Sequence, residues 1–322
     1  MTLILTQSDV AALLTIDDCI ASVETAFHDY GEGRVAPPQT LGVHAPTGTF
    51  HVKAAAADVF AAKVNANFPH NPRHHGLPTI QGVIILMDIE RGTPLGILDS
   101  TLITTLRTAA ASAVAAKYLA RGNARTMTII GCGIQGQAHL EAMMRVRPIA
   151  KAYAFDLDAA ASERFAHAMQ QHLGIEVAQA LYIDDAVATS DIVVTCTPSR
   201  SPILGPEHRH AGLFIAAVGA DNTEKQELAP ALMARCRVVP DILEQAATIG
   251  DLHHALDAGV LTRDDIHGEL SDVICGRVPS RQNDDEVFIF DSTGTALQDV
   301  ATASVALSRA VERGVGMDVA FR

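Results

Sequence analysis

A glycine-rich hexapeptide, GCGIQG at residues 131–136, constrains the fold of this 322-residue chain more than any other feature. An apolar segment, Met127–Ile130, precedes the hexapeptide, and the residues after it have the apolar spacing of a helix. Asp156 ends the next apolar segment, about 20 residues beyond the last glycine. A strand, a Gly-x-Gly-x-x-Gly turn, a helix and an acidic residue at this distance predict a dinucleotide-binding βαβ unit.

Each residue of this motif has a physical role in binding a dinucleotide. Gly131 permits a tight turn, and Gly133 lets the backbone approach the pyrophosphate at the helix N-terminus, where free N–H groups point outward. Gly136 allows the helix to pack closely on the strand. Asp156 accepts hydrogen bonds from the adenosine ribose and repels a 2′-phosphate, and no Arg lies within residues 157–162. The motif therefore favours NADH over NADPH.

After residue 125, apolar segments alternate with helical segments, which predicts a doubly wound parallel sheet. The predicted strands are Thr126–Ile130, Ala152–Phe155, Val177–Ala180, Ile192–Thr195, Leu213–Val218, Val238–Pro240 and Val287–Phe290. The predicted helices between them are Gln135–Met144, Ala159–Leu173 and a short one near Ile183–Thr189.

The part before residue 120 has a different pattern. Residues 8–30 have helical spacing, with Ser8 and Thr15 as candidate N-caps, and residues 101–120 form a strong Ala-rich helix. Short β-prone runs separated by Gly, Pro and Asn predict a mostly antiparallel sheet. Its predicted strands are Thr49–Ala55, Phe60–Asn67, Gln81–Asp88 and Leu95–Leu98.

These patterns predict an α/β protein with a Rossmann-type parallel sheet and a second α+β domain with a mostly antiparallel sheet. We expect residues 121–295 to form the NAD(P)-binding domain. Residues 1–120, together with the long helix within residues 296–322, are expected to form a discontinuous domain for substrate binding and dimerisation.

Composition narrows the range of partners. Asp and Glu outnumber Lys and Arg by 37 to 24, and a formal net charge of −13 argues against nucleic-acid binding. No apolar run approaches the length of a membrane helix, and the first residues lack the features of a secretory signal. The five cysteines are scattered without metal-ligand spacing, as expected for reduced thiols in a cytoplasmic protein. Three histidine pairs lack the further ligands of a metal motif, so no metal is expected.

Several polar residues stand where a small anion could be bound or a proton handled. Lys63 lies inside an apolar strand, where the alternative is an edge or solvent-facing lysine, and Lys53 shares a strand face with His51. Arg107 lies in the Ala-rich helix and requires an anionic partner. That partner could be a ligand, or a carboxylate with which Arg107 forms an interdomain salt bridge. Asp221 follows a predicted parallel strand, and Ser292 lies at a strand-to-helix turn. Each of these two could instead be a helix N-cap.

The chain resembles the ornithine cyclodeaminase/mu-crystallin family over essentially its whole length. The resemblance is carried by AAKVNANFP, the segment from GVIILMDIERG to AAKYLA, GCGIQGQAH, AVGADNTEKQEL and FDSTGTALQD. It implies a Rossmann domain with a bound nicotinamide dinucleotide, and a second domain that dimerises through its sheet.

The resemblance also implies roles for individual residues. Lys63 and Arg107 would hold a substrate carboxylate, Asp221 would match the catalytic aspartate of the cyclodeaminases, and Thr293 would contact substrate. Positions implied to contact the dinucleotide are Thr79, Arg107, Thr108, Gly131, Gly133, Ile134, Gln135, Gly136, Asp156, Thr195, Thr197, Val218, Gly219, Lys225 and Ser292.

The departures from the family pattern bear on the substrate. Where the cyclodeaminases carry an Arg that helps to bind the ornithine carboxylate, this chain has Gln39. Where they carry a Glu and an apolar residue, it has His51 and Lys53. A less acidic site suits a cationic diamino acid poorly, and FHVKAA resembles the corresponding segment of the bacterial Δ1-pyrroline-2-carboxylate reductases.

The sequence therefore predicts NAD(P)H-dependent reduction of a cyclic ketimine carboxylate with five or six ring atoms, giving proline or pipecolate. Asp221, Lys63 and His51 are the candidate proton-handling residues, and Lys53, Lys63, Arg107, Gln39 and Thr293 the candidate substrate contacts. The alternatives are an ornithine cyclodeaminase, an alanine dehydrogenase and a non-catalytic protein that binds a small ligand. We expect a cytoplasmic homodimer that acts on a small anionic imino or amino acid.

Overall fold

The computed structural model describes residues 1–321, so Arg322, the last residue of the predicted first domain, lies outside the described residues. The chain divides into two compact units. The first unit comprises Met1–Arg107 and the chain from Thr295 onward, and the second comprises Thr108–Gly294. The division falls inside the Ala-rich helix, rather than after it at residue 120.

The first unit is built around a seven-stranded mixed sheet and the helices that cover it. Its strands are β1 (Thr2–Leu5), β2 (Gln39–Ala45), β3 (Gly48–Ala56), β4 (Val59–Asn67), β5 (Ile80–Asp88), β6 (Pro94–Asp99) and β16 (Met317–Val319). Its helices are α1 (Gln7–Leu13), α2 (Ile16–Gly31), α3 (Asn71–His74) and α12 (Ala296–Arg313), and α4 (Thr101–Leu119) begins here.

The strand order in this sheet is β16-β1-β6-β5-β4-β3-β2, and every pair except β1 with β6 is antiparallel. Helix α12 packs on β3, β4 and β5, and also against α2. This side of the sheet holds the core of the unit, with Ala61, Ile84, Leu86 and Leu98 nearly inaccessible.

The opposite face of the sheet is apolar and largely open. The strand register places Leu41, Val52, Val64 and Val83 in one row across β2 to β5. Leu41 is 59% exposed and Val83 41% exposed. An apolar sheet face of this kind is typical of a surface that another protein covers.

The second unit is a seven-stranded sheet whose pairs are all parallel, with the order β14-β15-β12-β10-β7-β8-β9. Its strands are β7 (Thr126–Ile130), β8 (Lys151–Phe155), β9 (Glu176–Gln179), β10 (Ile192–Thr195), β12 (Phe214–Ala217), β14 (Arg237–Pro240) and β15 (Phe288–Asp291). A separate two-stranded sheet joins β11 (Arg200–Leu204) to β13 (Gln226–Leu228).

The helices of the second unit connect these strands. They are α5 (Ile134–Val146), α6 (Ala159–Leu173), α7 (Ile183–Ala188), α8 (Pro230–Met233), α9 (Leu243–Ile249), α10 (Asp251–Asp257) and α11 (Leu270–Ile274). The fully buried strand residues, among them Ile129, Val193, Ile215 and Ile289, form its core. Strands buried on both faces explain why these segments read as continuous apolar runs.

The predicted fold class is confirmed, with one correction to its elements. The helical segment predicted over residues 8–30 is two helices, and Thr15 caps the second, α2, as predicted: its side chain accepts from the Asp18 N–H, and the Asp18 carboxylate accepts from the Thr15 N–H. The first helix is capped by Thr6 and not by Ser8. Within residues 1–321, no helix is long and apolar enough to span a membrane.

Candidate active site

The glycine-rich turn of the second unit has the three environments that its motif requires. Gly131 has φ +104°, and a Cβ there would lie 2.7 Å from the Cys196 carbonyl oxygen. A Cβ on Gly136 would lie 2.4 Å from the Gly131 carbonyl oxygen. A Cβ on Gly133 would meet nothing within 4 Å. Packing therefore dictates the outer two glycines, whereas the middle glycine leaves open space over the N-terminus of α5, where a phosphate can approach.

This turn lies at the topological switch point of the parallel sheet. Strand β7 lies between β8 and β10, so the chain turns to opposite sides after neighbouring strands. Asp156 follows β8, and its carboxylate accepts hydrogen bonds from the backbone N–H groups of Cys132 (2.9 Å) and Asp158 (3.0 Å). Crevices at such a point bind nucleotides. The carboxylate predicted to contact the ribose thus lies against the turn itself.

Two buried polar atoms near the glycine-rich turn and the end of β15 lack hydrogen-bond partners among the described residues. Ile134, the first residue of α5 and another predicted cofactor contact, is 69% exposed. The side-chain oxygens of Gln135 and Ser292 are buried and have no hydrogen-bond partner among the described residues. Buried polar groups are normally paired, so unpaired atoms here fit a site that is completed by a polar ligand. Ser292 is not a helix N-cap, since Thr295 has that position in α12.

The loops that follow β10 and β12 are joined by Glu227, a residue that the sequence did not single out. The carboxylate of Glu227 is fully buried and accepts from the hydroxyls of Thr195 and Thr197 at 2.7 Å. It also accepts from the backbone N–H groups of Thr197 (2.6 Å) and Gly219 (2.7 Å). The structure therefore brings these three predicted cofactor contacts together, but the two threonine hydroxyls and the Gly219 N–H donate to Glu227.

Asp221 and Lys225 form an ion pair beyond Val218 and Gly219. The Lys225 Nζ is 2.8 Å from the Asp221 carboxylate, whose side chain is 51% exposed. The alternative that Asp221 caps a helix near Glu224 is not what the structure shows, because a turn organised by Asn222 leads into β13.

Thr293 is held by a buried carboxylate within the second unit. Its hydroxyl donates to Asp241 at 2.7 Å, and the Gly294 N–H donates to the other oxygen of Asp241 at 2.7 Å. The Gln245 amide donates to the Thr293 hydroxyl at 2.7 Å. The side chain predicted to contact substrate is thus already engaged, and its backbone is fixed by these bonds.

The first unit contains a buried cluster of charged residues. Lys63 Nζ lies 2.8 and 2.7 Å from the two carboxylate oxygens of Asp299, and Arg107 Nε lies 2.9 Å from one of them. Arg107 also donates to the Gln298 side-chain oxygen at 2.6 Å. Lys63 is 3% exposed, Arg107 5% and Asp299 1%. Lys63 is thus not a solvent-facing lysine, and Arg107 pairs with a carboxylate of its own unit.

Burial and charge set the protonation of this cluster. Burial, together with repulsion from Arg107, lowers the pKa of Lys63 to about 7, against the opposing attraction of Asp299. Burial would raise the pKa of Asp299, but the charges of Arg107 and Lys63 outweigh it and hold that pKa below its ordinary value. Lys63 can therefore gain or lose a proton near neutral pH.

The strand register decides which predicted residues share a face with Lys63. Lys53 on β3 pairs directly with Lys63 on β4, and His51 lies two residues along on the same face. Gln39 pairs with Ala54, so it lies on the opposite face and donates to the Pro37 carbonyl instead. The structure therefore brings Lys53, Lys63 and His51 together but does not place Gln39 with them.

Thr79 and Thr108, the remaining predicted positions, belong neither to the loops around the glycine-rich turn nor to the charged cluster of the first unit. Thr79 precedes β5 in the first unit, and its carbonyl accepts from the Phe68 N–H at 2.8 Å. Thr108 is a buried residue of α4 in the second unit.

An α/β unit with an all-parallel sheet and a Gly-x-Gly-x-x-Gly turn at its switch point defines a dinucleotide-binding protein of the Rossmann type. Comparison with known sequences makes the class more specific. The sequence profile of the ornithine cyclodeaminase/mu-crystallin family matches residues 1–314, and the chain belongs to this family.

Similar proteins include several enzymes of amino and imino acids. Alanine dehydrogenase of Archaeoglobus fulgidus is 37% identical over 99% of this chain and 98% of that protein. The structure of Thermococcus litoralis Δ1-pyrroline-2-carboxylate reductase with NADH and L-proline matches with a TM-score of 0.94 and 32% identity, covering 99% of this chain and 100% of that one. Paracoccus denitrificans iminosuccinate reductase with NAD⁺ matches with a TM-score of 0.92 and 31% identity, covering 99% of both chains.

Proposed function

We propose that this protein is a ketimine reductase that uses NADH, or NADPH less readily, to reduce Δ1-pyrroline-2-carboxylate or its six-membered homologue to L-proline or L-pipecolate. The observation that carries the proposal is the buried cluster of Lys63, Arg107 and Asp299 in the first unit. The named relatives support the reaction class, since two of them act on compounds with a C=N bond beside a carboxylate.

The cluster has more positive than negative charge. The two cations Lys63 and Arg107 share the single carboxylate of Asp299. Buried charge without a counter-charge is costly, so the cluster favours a small anion that completes it. We infer that Lys63 and Arg107 bind the substrate carboxylate, while Asp299 holds the two cations in place.

The second unit is proposed to hold the dinucleotide. The residues assigned to this role are Gly131, Gly133, Ile134, Gln135, Gly136, Asp156, Thr195, Thr197, Val218, Gly219, Lys225 and Ser292, with Thr79, Arg107 and Thr108 as further contacts. A bound nicotinamide supplies the hydride that the imine carbon accepts. The open space over Gly133 and the unpaired Ser292 hydroxyl favour this assignment, and the Asp156 carboxylate favours NADH because it repels a 2′-phosphate.

Reduction of the imine also requires a proton on its nitrogen, and three residues are candidates to handle it. Lys63 is the strongest, because its lowered pKa lets it donate a proton near neutral pH. Asp221, ion-paired with Lys225, is proposed to stabilise the protonated imine. His51 shares the strand face of Lys63 and is an alternative donor.

A second candidate function is reduction of the acyclic dicarboxylate iminosuccinate. The observation that favours it is Lys53, which pairs across strands with Lys63 and adds a further cation for a second carboxylate. The similarity to iminosuccinate reductase of Paracoccus denitrificans points the same way.

The test follows oxidation of NADH and NADPH with a panel of substrates. We expect rapid oxidation of NADH with one of the cyclic imines, and the second candidate predicts it with oxaloacetate plus ammonia. Turnover of pyruvate plus ammonia alone would identify an alanine dehydrogenase. Proline formed from ornithine without a net change in NADH would identify a cyclodeaminase. If no member of the panel were consumed, the non-catalytic binding role would replace the proposal.

A further inference from the structure

Glu227 of β13 has an extensive set of side-chain hydrogen bonds within the second unit. Its carboxylate accepts four hydrogen bonds, which come from the end of β10 and from the loops that follow the neighbouring strands β10 and β12. Each carboxylate oxygen accepts one backbone N–H, from Thr197 at 2.6 Å and from Gly219 at 2.7 Å. The loops are thus bound to one another through this side chain.

The four hydrogen-bond donors around Glu227 favour its ionised form. Burial raises the pKa of Glu227, whereas the bonds from Thr195, Thr197 and Gly219 oppose that rise. A hydroxyl donor can rotate away, but a backbone N–H cannot, so an amide at this position would direct its NH2 group at one of the two backbone donors. A carboxylate accepts from both backbone groups and presents a donor to neither.

The backbone of Glu227 is also held in place, by hydrogen bonds to Asp251. The N–H groups of Glu227 and Leu228 donate to one oxygen of Asp251, at 2.8 and 2.9 Å. The N–H of Leu252, in the first turn of α10, donates to Asp291 at 2.8 Å. The buried side chains of Asp251 and Asp291 tie β13 to α10 and to the end of β15, which fixes the backbone position of Glu227.

We propose that Glu227 is a positioning residue that fixes the two loops against which the dinucleotide binds. A Cβ on Gly219 would lie 2.3 Å from the Thr197 carbonyl oxygen and 2.5 Å from the Glu227 side chain, so the two loops pack closely against each other and against Glu227. Because the threonine hydroxyls point to Glu227, the loops present backbone to a ligand. This inference rests on the proposed function.

The experiment compares Glu227→Gln with Glu224→Gln, a control three residues earlier whose carboxylate is 66% exposed in a pair with Arg200. The dissociation constants of NADH and NAD⁺ are measured by fluorescence titration, alongside the melting temperature and the KM of the imine. We expect Glu227→Gln to raise the NADH dissociation constant about tenfold, because backbone donors lose a charged acceptor. The KM of the imine should change much less, since its carboxylate binds in the first unit.

Thr195→Val provides a second test in case Glu227→Gln does not fold. It removes one hydroxyl bond to Glu227 and leaves the carboxylate, and it should raise the NADH dissociation constant by about threefold. Unchanged NADH affinity in both variants, or in Thr195→Val alone if Glu227→Gln does not fold, would overturn the inference while leaving the proposed function intact. Wild-type protein that binds no dinucleotide would instead refute the proposed function.

Discussion

Asp299 shows how one buried carboxylate can organise a site. It contacts both Lys63 and Arg107 and is 1% exposed. The sequence predicted the two cations, because a charged residue within an apolar strand or an Ala-rich helix stands out. It did not predict their partner, which lies 236 positions from Lys63 in the chain. A pairing over such a distance depends on α12 packing on β4, which no local pattern encodes.

Replacing Asp299 with Asn should change the protonation of Lys63. Loss of this carboxylate removes the attraction that keeps the Lys63 ammonium protonated, so the pKa of Lys63 falls further. The basic limb of the pH profile of kcat/KM for the imine should move down by about one pH unit. Glu312→Gln, an exposed change on the same helix, is the control. An unmoved basic limb would show that Asp299 does not tune Lys63.

The titration of the buried Asp251 side chain should make stability depend on pH. Burial and repulsion from Glu227 raise its pKa from 3.8 to about 7, so the folded protein keeps a proton that the unfolded chain loses. This group therefore makes the free energy of unfolding fall as pH rises from 4 to 7.

The variant Asp251→Asn does not titrate and should lack that slope. Urea unfolding at several pH values measures the difference between variant and wild type. The exposed Asp257→Asn on the same helix should follow the wild type. Parallel curves for Asp251→Asn and wild type between pH 4 and 7 would contradict the assignment.

At the scale of elements, the parallel sheet was predicted well and the mixed sheet in part. Strands buried on both faces, such as β10 and β12, appear in the sequence as apolar runs with clear ends. The strand β2 was missed because its residues are nearly all exposed, so no buried face produces an alternating pattern. The short strands β1 and β16 pair at the edge of the sheet and depend on distant partners.

The glycine-rich turn gives a matched pair of variants. Gly136→Ala should destabilise the protein, because its Cβ would lie 2.4 Å from the Gly131 oxygen and 2.9 Å from Ile129. Gly133→Ala should leave the melting temperature unchanged, since nothing lies within 4 Å of its Cβ, but should weaken NADH binding by about tenfold. Melting curves and NADH titrations measure both effects. Unaltered NADH affinity in Gly133→Ala would mean that the dinucleotide does not approach this residue.

At the scale of the whole molecule, the two units have separate tasks in the proposed reaction. The sequence predicted a discontinuous first domain, and the compact unit that includes α12 is discontinuous as well. The sequence also predicted dimerisation through the sheet of that domain, which remains a proposal. The feature that favours it is the open apolar face formed by Leu41, Val52, Val64 and Val83.

If that face joins two copies, Leu41→Asp should convert a dimer into a monomer, because it places a charge on an apolar contact. Leu41 is 59% exposed, so the fold should tolerate the change. Val311→Asp, at a residue 66% exposed on α12, is the control and should leave the mass unaltered. Light scattering on size-exclusion chromatography gives the mass. A monomeric wild type, or a dimeric Leu41→Asp variant, would exclude this interface.

The central claim is that the cations Lys63 and Arg107 hold the carboxylate of an imine that is reduced. The most direct measurement compares kcat/KM, with NADH, for Δ1-pyrroline-2-carboxylate and for Δ1-pyrroline, which lacks the carboxylate. Two charge-assisted contacts predict a preference of about a thousandfold for the carboxylated imine. Equal rates for the two compounds, or no reduction of either, would contradict the account.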